Sequence, residues 1–454
     1  MNQTIMKNIL SILVVLLLWN IGNAQTSTTS VEITKEKKAA IDKYLDYLEA
    51  ENQIIGAISI AREGKEVYGR NFGQQNLTDK TIDANELVYQ IGSITKLFTA
   101  VLIGQLVEKN KLSYDELLSD YFPTVPNASK ITINQMLNHT SGLKDFITKD
   151  DTLPEWLFEP VFGEEIIEEI IKSGVAFEPG EGLQYSNGAY YLLTKIVEQK
   201  YRKPYKKIVA ERILKPLKLS KTNSISIKDN YQNIAKPYEK LEEWTVVKDF
   251  YFPNVIGVGD IVSTPQELNR FIYDLFSYKI IKKATLEEML PLKGEPFGYG
   301  IMGIPFYGKK LYGHGGDTRG THCVMAYDRP EKLSISYMIN GELFLTNDFA
   351  LGLLSIIYDR AYEYPKFDVY KVSSADLLTY EGIYGASDFP MELTIYKDGS
   401  QLKAKGTGQP AFILKAVDKH QFAFEKAGLE ITFVPKNQSL ILKQGGQTIE
   451  LDKE

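Results

Sequence analysis

Cysteine is almost absent from this chain of 454 residues; Cys323 stands alone. No internal disulfide can form, so stability must come from burial. Histidine is scarce too. His139, His314, His322 and His420 are the full set, and none has carboxylates or cysteines at metal-ligand spacing. Neither a metal nor any other cofactor is expected. Long basic runs are missing and the formal net charge is −6, which gives nucleic acid or an anionic membrane no reason to bind. The one strongly apolar run, "ILSILVVLLLW", is too short to span a bilayer comfortably.

That run has another reading. Lys7 precedes it and the small residues of "GNA" follow it before Gln25, so residues 1–24 read as a signal peptide. No cysteine near the cleavage point offers a lipid anchor. A periplasmic or secreted protein with no stable membrane insertion after cleavage is expected. The remainder, with 44% hydrophobic and 24% charged residues overall, has the balance of an ordinary globular protein.

The spacing of Ile41, Tyr44, Leu45 and Leu48 predicts an amphipathic helix over 35–52. Two strand-like runs around Glu63-Gly64 predict a hairpin. A largely helical block reaches to about residue 290, and strands return in "FGYGIMGIPFYGKKLYGHGG", "THCVMAYD" and "KLSISYMING". A last helix, "DFALGLLSIIYDRAY", follows. Strands at both ends of a helical insertion imply one sheet assembled from distant segments, with a groove against the helical part. Cys323, within "CVMAYD", reads as core rather than nucleophile. From about residue 376, short alternating runs separated by turns predict a separate all-β module, a small barrel or sandwich. The domains are read as 25–365 and 376–454.

Three fragments carry chemistry. In "YQIGSITKLFTAVLIGQLVEKN" Ser93 and Lys96 lie one helical turn apart, where a buried lysine can take the serine's proton. Alone, the pair is equally a helix cap and a solvated lysine, and Ser-x-x-Lys recurs at Ser141/Lys144 and Ser400/Lys403. In "FEPGEGLQYSNGAYYLL" Tyr185 can relay a proton and Asn187 can hold a substrate carbonyl. A core tyrosine and a helix cap would look the same, and Tyr231/Asn233 repeats the spacing. In "YGHGGDTRGTHCVMAYD" the glycines let an acyl group approach a strand edge. There the backbone N–H of Asp317, with that of Ser93, can form a two-donor oxyanion site. An ordinary hairpin turn also fits.

In this order the three fragments, with "MLNHTSGL" and "GVGDIVSTPQELNRF" between them, resemble the serine β-lactamase and penicillin-binding-protein superfamily. The nearest likeness is to its class C β-lactamase, D-Ala-D-Ala carboxypeptidase and carboxylesterase branch, over about residues 35–362. The resemblance implies an α/β (α+β) fold with an antiparallel sheet flanked by helices and a helical subdomain. It implies Ser93 as acylated nucleophile, Lys96 as proton acceptor, Tyr185 as proton shuttle and Asn187 as a substrate-amide ligand. His314, followed by Gly315, Gly316 and Asp317, takes the place of the lysine in the family's Lys-Thr-Gly strand. No counterpart of the class A deacylating glutamate is present.

Two departures shape the expected substrate. A histidine with a reference pKa of about 6.5 holds a substrate carboxylate less well than lysine does, although Arg319 can supply the charge. Asp317 suits an oxyanion site only if its side chain points away. The expected activity is therefore that of a serine hydrolase acting on D-amino-acid peptides or esters, through a small-molecule or peptide substrate. A β-lactamase and a non-catalytic binder of peptidoglycan fragments are the alternatives.

Overall fold

A computed structural model describes residues 31–454, apart from 74–82, 148–152, 226–232, 241–242, 345, 366, 368–369, 371, 387–388, 400, 408–410, 425–426 and 445–446. The expected signal peptide, Tyr231 and Ser400 lie outside the described residues. The chain falls into two compact units that divide between Glu342 and Leu343. The helix Thr346–Ile357 thus counts with the second unit, upstream of the 365/376 boundary read from the linker.

In the first unit the amphipathic helix spans Lys35–Ala50. Thr34 caps it by accepting from the Lys37 N–H at 3.3 Å, and Ile41, Tyr44, Leu45 and Leu48 are buried. The hairpin strands β1 (Ile54–Arg62) and β2 (Lys65–Phe72) follow. Glu63 and Gly64 both take positive φ between them, as a two-residue turn matching the sheet twist requires. Short strands lie further along: β3 (Tyr89–Gln90), β4 (Asn223–Ser224), β5 (Tyr238–Lys240), β6 (Trp244–Val246) and β7 (Ile261–Ser263). Four long strands close the unit: β8 (Met302–Phe306), β9 (Lys309–Asp317), β10 (His322–Asp328) and β11 (Leu333–Glu342).

The main sheet has the order β2-β1-β11-β10-β9-β8, so strands from the two ends of this unit meet inside it, where β1 pairs antiparallel with β11. Both central strands are buried over nearly their whole length, which is why they read as continuous apolar runs. The helix Pro265–Phe276 lies against them. Its Asn269 is fully buried, donates to Ser59 O at 2.9 Å and accepts from Ser336 Oγ at 2.8 Å. Phe271 of that helix stacks on Phe98 with ring centroids 4.0 Å apart. Phe98 belongs to the helix Thr95–Glu108, which is buried on every side through its first three turns. A small sheet, β3-β7-β4, braces the start of that helix, and the helices Ile133–Leu137, Gly163–Ser173 and Asn187–Tyr201 form the helical block beyond.

The second unit carries the predicted all-β module, and it is a barrel. Eight antiparallel strands run from Gly382–Ala386 to Gln447–Lys453, each bonded to the next, and the last returns to the first. Closure leaves no open edge. The interior is filled by Tyr384, Ile395, Leu402, Ile431, Phe433, Leu440 and Leu451, all of them buried.

Candidate active site

Ser93 does not cap the helix. Gly92–Ile94 form a single tight 3-10 turn that runs on into the helix Thr95–Glu108, and no side chain caps either segment. The turn is pinned from behind, where the Ile91 N–H donates to Ile261 O of β7 at 3.0 Å. Gly92 takes φ +49°, and a Cβ there would stand 2.9 Å from both the N and the O of Asp317. Only glycine fits a left-handed position pressed this closely on a strand edge. The result holds Ser93 half-buried between fully buried neighbours.

One turn on, Lys96 is wholly buried. Its Nζ donates to Ser93 Oγ at 2.9 Å and to Val258 O at 3.2 Å. Burial disfavours the ammonium and brings the lysine's pKa down from 10.5 to about 7, although the Asp145 carboxylate opposes the fall. Nζ also lies 5.0 Å from the centre of the Tyr185 ring. The Tyr185 hydroxyl is sealed from solvent, which pushes its pKa far up; proximity to Ser93 opposes this, with no hydrogen bond formed between them. Nζ and Oγ thus share one short contact, with a phenol beside them whose proton is free to be donated.

His314 lies on β9, its ring 6.4 Å from that of Tyr185. It is buried, and its Nδ1 contacts Gly315 O at 2.5 Å while Nε2 has no partner among the described residues. Burial first, and then the Lys96 charge, hold its pKa down to about 4. The ring is therefore neutral at pH 7 and offers no cation.

The glycines after it differ. A Cβ on Gly315 would meet only Cys323 O, at 3.8 Å, whereas one on Gly316 would fall 1.9 Å from Ile91 O and 3.0 Å from Ser93 N. Gly316 is the residue that lets the strand edge touch the serine turn. The ladder then aims the next N–H. Thr318 N donates to Thr321 O across the β9–β10 pair, and Asp317 faces His322 in register. Successive residues of an antiparallel strand turn their N–H groups to opposite edges. The Asp317 N–H therefore points away from β10, to the edge that β8 leaves open beyond Gly313 and on which Gly92 and Ser93 pack. The Asp317 carboxylate is turned to His322, with Oδ1 2.6 Å from Nδ1.

Asn187 opens the helix Asn187–Tyr201, capped by Ser186 through the Ala189 N–H, and its own N–H donates to Asp145 Oδ1 at 3.2 Å. Arg319 is set apart. Its Nη1 donates to Lys248 O at 3.4 Å and its guanidinium lies 5.3 Å from the centre of the Phe158 ring. Ser93, Lys96, Tyr185, His314, Gly316 and Asp317 thus come together, Asn187 joins through Asp145, and Arg319 belongs to a neighbouring cluster. Among the described residues no group of His, Cys, Asp and Glu could hold a metal, and no helix is long and apolar enough to cross a membrane.

Three residues that sequence reasoning passed over complete the site. His139, inside the "MLNHTSGL" segment, is buried with φ +65°. Its ring stacks on Tyr185 at 4.3 Å and its Nδ1 accepts from the Ser186 N–H at 3.2 Å. That bond requires an unprotonated Nδ1, and burial with the nearby Lys96 and His314 keeps its pKa well below the usual range. Asp145 is the carboxylate that acts on Lys96. Asp260, in "GVGD", is fully buried and accepts from the Gly257 N–H at 2.6 Å and from the Ser224 hydroxyl. It thereby shapes the loop whose carbonyls, Gly257 O and Val258 O, accept from Thr99 Oγ1 and Lys96.

The beta-lactamase family model matches residues 41–352. Penicillin-binding protein 4* of Bacillus subtilis is 24% identical over 92% of this chain and 98% of its own length. Teichoic acid D-alanine hydrolase of Staphylococcus aureus is 24% identical over 56% of this chain and 61% of its own. Among solved structures, D-amino acid amidase from Ochrobactrum anthropi SV3, complexed with D-phenylalanine, superposes with a TM-score of 0.65 at 24% identity, covering 72% of this chain and 99% of that one. A serine–lysine–tyrosine cluster built on the transpeptidase-type fold, within a family match over most of the chain, leaves one conclusion: the protein belongs to the beta-lactamase family of serine hydrolases.

Proposed function

We propose that the protein transfers acyl groups through Ser93, and that its substrates are D-aminoacyl esters and amides rather than compounds recognised by a free carboxylate. The observation that carries the reading is Lys96, fully buried, bonded to Ser93 Oγ at 2.9 Å and poised with a pKa of about 7. With Lys96 neutral, the Ser93 hydroxyl donates to Nζ and passes its proton there as Oγ bonds to the substrate carbonyl carbon. The carbonyl electron pair moves onto oxygen, facing the N–H groups of Ser93 and Asp317. Collapse of this intermediate breaks the bond to the leaving group, which takes a proton through Tyr185 from Lys96. Water then repeats the sequence on the acyl-enzyme, giving its proton to the same pair and releasing the acid and free Ser93.

The substrate class follows from the missing cation. The neutral, buried His314 ring offers a terminal carboxylate no cation at its own place on the strand, and the Arg319 guanidinium is turned to Lys248 O. The names of two relatives, a D-alanine hydrolase acting on teichoic acid and a D-amino acid amidase, support a D-aminoacyl group. The reading of residues 1–24 as a signal peptide would place the enzyme outside the cytoplasm. Intact-mass spectrometry after mixing with D-alanine esters, D-alanine amide and a penicillin tests the reading, with Ser93→Ala alongside. A transient D-alanyl adduct and ester turnover, both lost in S93A, are expected. Turnover that survives in S93A would overturn it, and loss in S93A also eliminates a pure binding role.

A further inference from the structure

His322 lies beside the oxyanion edge with a carboxylate on each ring nitrogen. Nδ1 stands 2.6 Å from Asp317 Oδ1, and Nε2 stands 3.1 Å from Glu342 Oε1. An ionised carboxylate only accepts hydrogen bonds, and a neutral imidazole has a single N–H. With one carboxylate oxygen hydrogen-bonded at Nδ1 and another at ion-pair distance from Nε2, both ring nitrogens face acceptors, an arrangement that favours a proton on each. Asp317 is the partner that lies close to the chemistry. Asp317 contributes through its backbone to the edge on which Ser93 packs, and its side chain is half-exposed.

A carboxylate on the residue that supplies an oxyanion donor is an electrostatic liability. It stands only a few bonds from the N–H that must meet a developing negative charge, close enough to act on it even with its side chain half-exposed. Nothing in the strand geometry removes that charge. His322 faces it directly across the β9–β10 ladder. We infer that His322 is a positioning residue for the acyl-transfer reaction, which neutralises the Asp317 carboxylate, holds it away from the oxyanion and is itself kept charged and oriented by Glu342. The inference rests on the reading of Ser93 as nucleophile and adds to it a residue that touches no substrate atom.

The test uses the full chain and p-nitrophenyl acetate, whose uncharged acyl group keeps substrate charge out of the comparison. Nitrophenolate release follows acylation, and peptide mass mapping locates the acetyl group. His322→Asn should slow acylation by about tenfold or more, the order expected when an oxyanion site is weakened. Adding Asp317→Asn should restore most of the lost rate, because the carboxylate that needed neutralising is gone. Equal rates in H322N and the unaltered enzyme would overturn the inference. So would an H322N/D317N pair that stays as slow as H322N, since that means lost packing rather than an uncovered charge. If H322N does not fold, H322K, which keeps the charge, and H322Q, which does not, give the same comparison; equal loss in both overturns the assignment. Absence of an acetyl group on Ser93 in the unaltered enzyme would instead bring down the proposed nucleophile, and this inference with it.

Discussion

Replacing Lys96 with methionine should destroy activity and stabilise the fold. Methionine matches the lysine stem in shape and adapts to irregular space. A fall in lysine pKa from 10.5 to about 7 means that the folded protein binds this proton far more weakly than the unfolded chain. At about 1.4 kcal/mol per tenfold change in proton affinity, holding the ammonium in place costs about 5 kcal/mol. The sign follows from proton counting. Between about pH 7 and 10.5 the unfolded chain keeps the proton and the folded chain has lost it, so stability rises with pH across that window. Below about pH 7 both states are protonated and the full cost remains. Methionine removes the cost, but it also removes the bonds to Ser93 and Val258 and leaves a buried carbonyl without a donor, at about 1–3 kcal/mol. The expected net gain is about 2–4 kcal/mol near pH 6, and it falls with rising pH to a net loss by about pH 10, where only the missing carbonyl partner remains. Asp260 also titrates in the neutral range, its pKa raised by burial to about 7, so its ionisation lowers stability as pH climbs from its unfolded value of 3.8. That contribution is common to both proteins. Urea unfolding of the two across the pH range, read as a difference, isolates Lys96. A K96M protein no more stable than the unaltered one near pH 6, with the same pH dependence, would refute the claim that Lys96 is a destabilised buried base.

Other perturbations probe the rest of the site. Asp145→Asn keeps the acceptor for the Asn187 N–H but removes the charge that holds the Lys96 pKa up. The acidic limb of the kcat/KM profile should move to lower pH, and a limb that stays in place would mean that Lys96 does not set it. His314→Lys should speed acylation by penicillins and other carboxylate-bearing substrates by about tenfold, the worth of one charge-assisted bond, measured against an uncharged ester as control. Gly316→Ala drives a Cβ to 1.9 Å from Ile91 O. Turnover should fall by about a hundredfold as the strand edge parts from Ser93, with a drop in thermal stability of about 1–3 kcal/mol. Activity within a few-fold of the unaltered enzyme would show that close apposition is dispensable.

The parts of this protein that could be read from its sequence are those whose signal is local. The β1–β2 hairpin announced itself through two apolar runs around Glu63-Gly64, and the barrel through repeated short alternating segments. A barrel and a sandwich read alike, because the pairing of Gly382–Ala386 with Gln447–Lys453 leaves no mark in either strand. Ser93 and Lys96 were visible because three residues bring them onto one face, yet a solvated lysine has the same spacing. What separates the two readings lies 162 positions away, where Val258 O accepts from Nζ. His139 and Asp145 were hidden for the same reason: their partners, Tyr185, Ser186 and Asn187, are more than forty residues downstream. The small sheet that braces the serine turn has strands of two and three residues, too short for any periodicity. Asp260 sharpens the point. Its segment "GVGD" is part of the family likeness, but nothing in it marks the carboxylate as buried, and only the fold shows it sealed against the Gly257 N–H and the Ser224 hydroxyl. A lysine that gives up its proton near pH 7 is therefore a property of the assembled core. Burial supplies the larger effect and Asp145 the correction, and the Tyr185 and Tyr190 rings beside Nζ come from a segment about ninety residues downstream.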